Sequence, residues 1–328
     1  MNWNGKQVLV TGAGGFIGSH LVERLVAAGA SVRAFVHYNA LGRAGWLDLS
    51  PVRGDIEIVS GDVCDWDSVR KAMHGVEIVF HLAALIAIPY SYEVPSAYVR
   101  TNIHGTLHVL QAAHELGVER LIHTSTSEVY GTARYVPMDE NHPLQGQSPY
   151  SASKIGADKL AEAFYYSYRI PVVIVRPFNT FGPRQSLRAI VPTIIAQCLT
   201  NGAVRLGNLY PTRDLNYVDD IARGFLKAAE SPEAIGKTIN LGSGKEVKIS
   251  ELVQLIAGFV GRNIRIESDV QRVRPKESEV ERLQADNTLA RQILGWQPSS
   301  DSLEKGLHLT IDWIKSHLEE YRLHAYTI

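Results

Sequence analysis

The sequence predicts an α/β fold, a doubly wound parallel sheet carrying a smaller, discontinuous C-terminal lobe. Three observations predict it. Short β-branched runs alternate with longer helical patterns; most of those runs are apolar almost throughout, as strands covered on both faces are; and a glycine-rich turn joins the first run to the first helix.

Taken in order, the strand-like runs are Gln7 to Thr11, Ser31 to Val36, Asp55 to Ser60, Glu77 to Leu82, Arg120 to Ser125, Pro171 to Arg176 and Thr238 to Leu241. After Arg176 the pattern breaks. RPFNTFGPRQ reads as loop, Ile190 to Leu199 as helix, and a Gly/Pro-containing stretch leads to TRDLNYVDD, an excursion away from the sheet. A helix from about Asp219 to Glu230 and the run TINLGS return to it. Helices near Glu251 to Val260, Asn287 to Leu294 and Leu303 to Tyr321 follow. The expected division is therefore residues 1–180 with 213–242 as a dinucleotide-binding domain, and 181–212 with 243–328 as the second lobe.

Composition narrows the function classes. With 328 residues and 45% hydrophobic content the chain can bury a large core. Lysine plus arginine number 33 against 34 acids, a net charge of −1, so nothing global favours nucleic acid or a membrane surface, although a local basic pocket for an anion is allowed. Cys64 and Cys198 stand far apart with no CxxC, which excludes a disulfide scaffold and a cysteine zinc site. Without a charged leader or a long apolar window, a cytoplasmic protein is expected.

Thr11 to Gly18 reads TGAGGFIG, between the first strand and the first helix. Glycines allow a tight turn and close backbone approach to a pyrophosphate, and the helix N-terminus offers free N–H groups with partial positive charge. Gly12, Gly15, Phe16, Ile17 and Gly18 are thus cofactor-binding candidates in a Rossmann-type site. The spacing is GxxGxxG, wider than GxGxxG. At the end of the second strand, where an acid would take the ribose hydroxyls of NAD, stand Arg33, His37 and Asn39; the next acid is Asp48. Arg33 or Arg43 would suit a 2′-phosphate, so NAD and NADP both remain open. Asp62 and Val63, after the third strand, are placed to meet adenine, or Asp62 caps a turn.

YSASK puts Tyr150 and Lys154 four residues apart on one helix face after Pro149. A phenol of pKa about 10 is a poor base, and a neighbouring ammonium favours its phenolate. Tyr150 would then accept a hydroxyl proton as hydride leaves the same carbon. Upstream, HTSTSEVYG ends the fifth strand, where doubly wound sheets place their chemistry. There Thr126 can hydrogen-bond a substrate oxygen and Glu128 can remove a proton, or these residues cap a turn.

Over essentially its whole length the chain resembles the extended short-chain dehydrogenase/reductase superfamily, through TGAGGFIG, HLAA, TNIHGT, YSASK, RPFNTFGPRQ and TRDLNYVDD. Within it, STSEVYG is similar to the motif of nucleotide-sugar 4,6-dehydratases. PTRDLNYV and RPKESEVERL resemble bacterial dehydratases of nucleotide-linked N-acetylglucosamine. The resemblance implies Tyr150 and Lys154 as the hydride-transfer pair, Thr126 as partner of the C4 oxygen and Glu128 as the C5 base. It implies Ala83 and Ala84 as cofactor-lining, Asn102 as a backbone holder, and Asn179, Arg213 and Arg274 as partners of the substrate diphosphate. In glucose-type dehydratases an acid precedes the glutamate; here Ser127 stands in that place, as in mannose-type enzymes.

The implied function is a lyase with a tightly bound, recycled NAD or NADP, converting a UDP- or GDP-N-acetylglucosamine-type substrate to the 4-keto-6-deoxy sugar. A UDP-glucuronate decarboxylase, a 4-epimerase and a nucleotide-binding sensor are the rivals. Relatives often pair their central helices, so a homodimer is expected. His104 and His108, four apart, with His114 beyond, lack a third ligand, and no metal is expected. His81 reads as a hydrogen-bonded structural residue.

Overall fold

The computed structural model describes residues 1–273 and 275–321. Seven parallel strands form its main sheet, in the order Thr238–Leu241, Val172–Pro177, Arg120–Thr124, Ile78–His81, Gln7–Thr11, Ser31–His37, Ile56–Gly61. Strand order reverses at Gln7–Thr11, later strands being added first on one side and then on the other, and its Val8 pairs in parallel with Val32 on one side and Ile78 on the other. That reversal opens a crevice at the strand C-termini, the usual ligand position in such sheets.

Successive side chains of a strand point to opposite faces, so each strand feeds two cores. Val8, Val10, Ile78, Phe80, Val173 and Val175 pack with Leu21, Leu25, Ile221 and Phe225 from the helices Phe16–Ala27 and Val218–Glu230. Leu9, Val79, Leu121, Val172 and Ile174 pack with Val69, Val109, Leu110 and Ala161 from Trp66–Met73, Gly105–Leu116 and Pro149–Tyr168. Val172–Pro177 and Ile78–His81 are buried at every position. Ile56–Gly61, at the sheet edge, is only partly buried, because one side has no neighbouring strand.

A third core joins segments distant in sequence. Ile194, Ile195, Val204, Leu206, Leu252, Ile256, Leu307 and Ile311 come from Ile190–Thr200, Ala203–Leu206, Ile249–Val260 and Ser302–Ser316. Small strand pairings stitch these segments: Ala203–Leu206 with Arg265–Ser268, and Thr212–Arg213 between Val247–Lys248 and Arg282–Leu283. The last helix stops at Ser316, short of the expected Tyr321. Ser316 Oγ donates to the Asp312 and Trp313 carbonyls, and His317 Nδ1 also engages Trp313, so side chains take the acceptors a continuing helix needs. Among the described residues, no helix is long and apolar enough to cross a membrane.

Candidate active site

The glycine turn is closed by contact rather than by side chains. Gly12 has φ +68°, and a Cβ there would lie 2.8 Å from the Ala83 nitrogen; at Gly18 it would lie 2.3 Å from the Gly12 carbonyl oxygen. Helix Phe16–Ala27 begins at Gly15 with no side chain capping it, so its first-turn N–H groups are left for an incoming anion. This cradle fits a dinucleotide pyrophosphate. Gly12→Val is expected to weaken cofactor binding at least about tenfold, since it combines a strained φ with a backbone clash of a few kcal/mol; titration of cofactor fluorescence on the purified variant measures it.

Beneath the turn, Thr11 Oγ1 accepts hydrogen bonds from Leu82 N and Ala83 N, each at 3.1 Å. Its own proton goes to His81 Nδ1 at 2.8 Å. On the other side of that ring, Thr106 donates to the Asn102 carbonyl, so His81 Nε2 donates to Thr106. Complete burial, then the neighbouring His123 and Lys154, push the His81 pKa well below the usual histidine range. His81 is a neutral strut that fixes Ala83; Ala84 follows it, half-buried. Asn102 sits in a π-helical stretch, Val99–His104, and clamps Leu85 N and O and the Ser153 hydroxyl.

At the adenosine end, His37 closes the second strand, exposed. Arg33 lies mid-strand, paired with Glu57 at 2.7 Å and donating to the Ala72 and His74 carbonyls, which commits it away from the strand ends. Asn39 binds the Arg43 backbone, leaving that guanidinium on an exposed loop, which is anchored to the glycine turn by Trp46 N donating to the Gly14 carbonyl. Asp62 Oδ1 accepts from Cys64 N, a turn cap, and Val63 packs against Gly105 while its carbonyl meets His108 Nδ1.

Helix Pro149–Tyr168 starts with a reciprocal Ser148/Ser151 cap and Pro149 in the first turn. It presents Tyr150 and Lys154, both buried, under the fifth strand's end. Thr126 caps the short 3₁₀ turn Ser127–Tyr130 by accepting from Glu128 N at 3.2 Å, and its side chain comes near enough to Tyr150 to lower that phenol's pKa. Burial raises the Tyr150 pKa strongly; Thr126 lowers it, while the nearby Glu128 charge raises it again. Thr126 and the Glu128 charge thus lie near Tyr150, and Ser127 between them in the chain is buried.

Among the described residues Lys154 makes no hydrogen bond to the phenol. Its Nζ donates to the Thr124 carbonyl at 2.6 Å, and burial lowers its pKa to about 8. Burial leaves Tyr150 a protonated phenol near neutrality, so positive charge nearby is needed to make it a base.

Among the described residues no three His, Cys, Asp or Glu groups are placed to hold a metal. Asn179 lies after Val172–Pro177, with its side-chain oxygen buried and lacking a partner among the described residues. Arg213 is buried, donates to the Thr212 carbonyl and pairs with Glu279 at 3.5 Å. Arg274 lies outside the described residues.

Sequence reasoning missed Asp158, one helical turn beyond Lys154 and fully buried. Its Oδ2 accepts from Ser125 Oγ at 2.7 Å and from Arg176 Nε and Nη2 at 3.2 and 3.0 Å; Oδ1 meets His123 Nε2 at 3.2 Å. Burial pushes this carboxyl up, but His123, Arg176 and Ser125 outweigh it and hold it at about 2. The available signal was an acid eight residues after Tyr150 on a helix face that is otherwise buried.

The model of the family described as GDP-mannose 4,6 dehydratase matches residues 9–309. A dTDP-glucose 4,6-dehydratase of Streptomyces griseus is 36% identical over 315 residues, covering 94% of both chains. A UDP-glucose 4-epimerase of Mycolicibacterium smegmatis is 34% identical over 316 residues, covering 94% of this chain and 99% of its own. Among solved structures, a dTDP-glucose 4,6-dehydratase double mutant from Streptomyces venezuelae with NAD bound superposes with a TM-score of 0.87 at 29% identity, over 96% of this chain and 98% of that one.

Proposed function

From the premise that the chain belongs to the GDP-mannose 4,6-dehydratase family of extended short-chain dehydrogenase/reductase enzymes, we propose that it is a nucleotide-sugar 4,6-dehydratase. UDP- or GDP-N-acetylglucosamine is the substrate class we assign, by the likeness of PTRDLNYV and RPKESEVERL to dehydratases of such sugars. The observation that carries the reading is Glu128 on the turn capped by Thr126, near enough to Tyr150 for its charge to act on that phenol. An enzyme that only oxidises and reduces C4 has no use for that carboxylate.

Thr126 and Tyr150 hold the C4 hydroxyl, and Tyr150, as the phenolate favoured by the nearby Lys154 ammonium and the positive charge an oxidised nicotinamide would add, takes its proton. The ketone formed at C4 acidifies the C5 hydrogen, which Glu128 removes. The C6 hydroxyl then departs as water by taking the proton Glu128 received from C5, leaving an enone. The proton Tyr150 took from the C4 hydroxyl balances the one C5 regains when hydride adds at C6. NAD, the cofactor present in the Streptomyces venezuelae structure, would supply the acceptor for the C4 hydride and the donor of the C6 hydride, with no net oxidation. Gly12, Gly15, Phe16, Ile17 and Gly18 would hold its pyrophosphate, with Ala83, Ala84, Asp62, Val63 and His37 along its length. Asn179, Arg213 and Arg274 would meet the substrate diphosphate, as paired basic groups do well. We take the active unit to be a cytoplasmic homodimer, divided as residues 1–180 with 213–242 and 181–212 with 243–328.

A 4-epimerase is the second reading, favoured by Ser127 where glucose-type dehydratases carry an acid and by the 34% identical epimerase. Mass spectrometry of products from UDP, GDP, dTDP and CDP sugars separates the two. A product lighter by one water supports dehydration; an isomer of unchanged mass overturns it, and carbon dioxide release marks a decarboxylase.

A pH dependence follows from Lys154. Below about 8 it is an ammonium, and above that it is neutral. The kcat/KM profile is expected to fall on its basic side near that pH, by up to about tenfold per pH unit. Flat activity through that range would mean that the ammonium is not required.

A further inference from the structure

The two halves of the candidate site sit on different elements. Tyr150 and Lys154 are on helix Pro149–Tyr168, whereas Thr126 and Glu128 are on the turn after strand Arg120–Thr124. Such a split site works only if those elements are held in fixed relation, since a displacement of about 1 Å costs roughly 10²-fold in rate.

One carboxylate spans the gap. Asp158 lies on the same helix face as Tyr150 and Lys154, and its Oδ2 accepts the Ser125 hydroxyl immediately before the turn. The same oxygen accepts two bonds from Arg176, whose Nη1 donates to the Tyr130 hydroxyl at 3.1 Å, at the turn's other end. Tyr130 in turn donates to Asn240 Oδ1 at 2.6 Å, and the Arg176 guanidinium stacks 5.0 Å from the Tyr130 ring centre. Ser125, Tyr130, Asp158 and Arg176 are all buried. A buried ion pair is weak evidence for stability, so its worth here lies in fixing geometry.

We propose that Asp158 is a positioning residue that sets the Thr126–Glu128 turn against Tyr150, gripping it through Ser125 at one end and through Arg176 and Tyr130 at the other. It also supplies the negative charge that supports the Lys154 ammonium. The other groups facing Lys154 are His123 and His81 on the neighbouring strands, both neutral, and Tyr150 on its own helix, with Arg176 beyond Asp158. Asp158 touches neither substrate nor cofactor in this role, and the inference draws on the dehydratase reading only for its kinetic readout.

The test uses Asp158→Asn, Ser125→Ala and Tyr130→Phe, the last two removing one grip each without unpairing a buried charge. Expected are a fall in kcat of about 10²-fold for Asp158→Asn and about five-fold for each hydroxyl variant, with KM little changed. In Asp158→Asn the basic limb of the pH profile moves down by about one unit, because Lys154 loses its opposing charge. Hydrogen–deuterium exchange at residues 125–130 rises in all three. If Asp158→Asn does not fold, the hydroxyl variants decide. Wild-type kcat and wild-type exchange in both hydroxyl variants overturn the proposal, as does a slow Asp158→Asn with an unmoved pH profile. Absence of turnover by the wild-type enzyme with every nucleotide sugar instead overturns the dehydratase reading, and the exchange data then judge Asp158 by themselves.

Discussion

Tyr150→Phe is expected to lower kcat by about 10³-fold, within the 10²–10⁴-fold that a positioned acid or base contributes, while cofactor and nucleotide-sugar binding stay near wild type. The variant removes one oxygen from a buried ring already packed edge-on against Tyr98, with centroids 6.2 Å apart, so the fold loses little. What it loses is the hydroxyl that meets Thr126 and faces Glu128. Because burial holds that phenol protonated, the first proton transfer is the demanding step, and its removal strikes before any hydride moves. Stopped-flow absorbance of reduced nicotinamide after mixing with substrate checks this. A wild-type burst in the Phe variant would remove Tyr150 from the chemistry.

Glu128→Gln has an equally large expected effect but a different signature. Dehydrated product falls by about 10²–10⁴-fold, yet oxidation at C4 proceeds, so reduced cofactor accumulates with a 4-keto hexose that still carries its C6 hydroxyl. The amide keeps the shape of the carboxylate and the backbone bond from Glu128 N to Thr126, so the turn is preserved. Trapping the ketone and weighing it reads the result. Full turnover with no accumulated ketone would contradict the assignment of Glu128 to C5.

Much of the framework was legible in the sequence because local patterns there carry the structure. Continuous apolar runs such as VVIVRP mark strands buried on both faces, and their observed ends lie within a residue or two of the expected ones. The turn after the first strand was legible because Gly12 and Gly18 stand where a side chain would strike backbone. What was not legible depends on contacts between distant segments. That Lys154 donates to the Thr124 carbonyl, and that Arg33 is held by Glu57, Ala72 and His74, follows from packing across elements, which spacing alone does not encode. Asp158 escaped notice for the same reason: its partners come from two other strands. The last helix was drawn too long because Ser316 continues a helical pattern while its hydroxyl bonds back into the preceding turn.

The two imidazoles under the crevice, His81 and His123, have ring centres 5.8 Å apart, and burial keeps both neutral. Two positive rings at that separation would repel, so the pair is electrically silent through the range in which free histidines titrate. Mild acidification of the surroundings therefore leaves the charge beneath the reaction chamber untouched. Alkaline conditions do alter it, through Lys154.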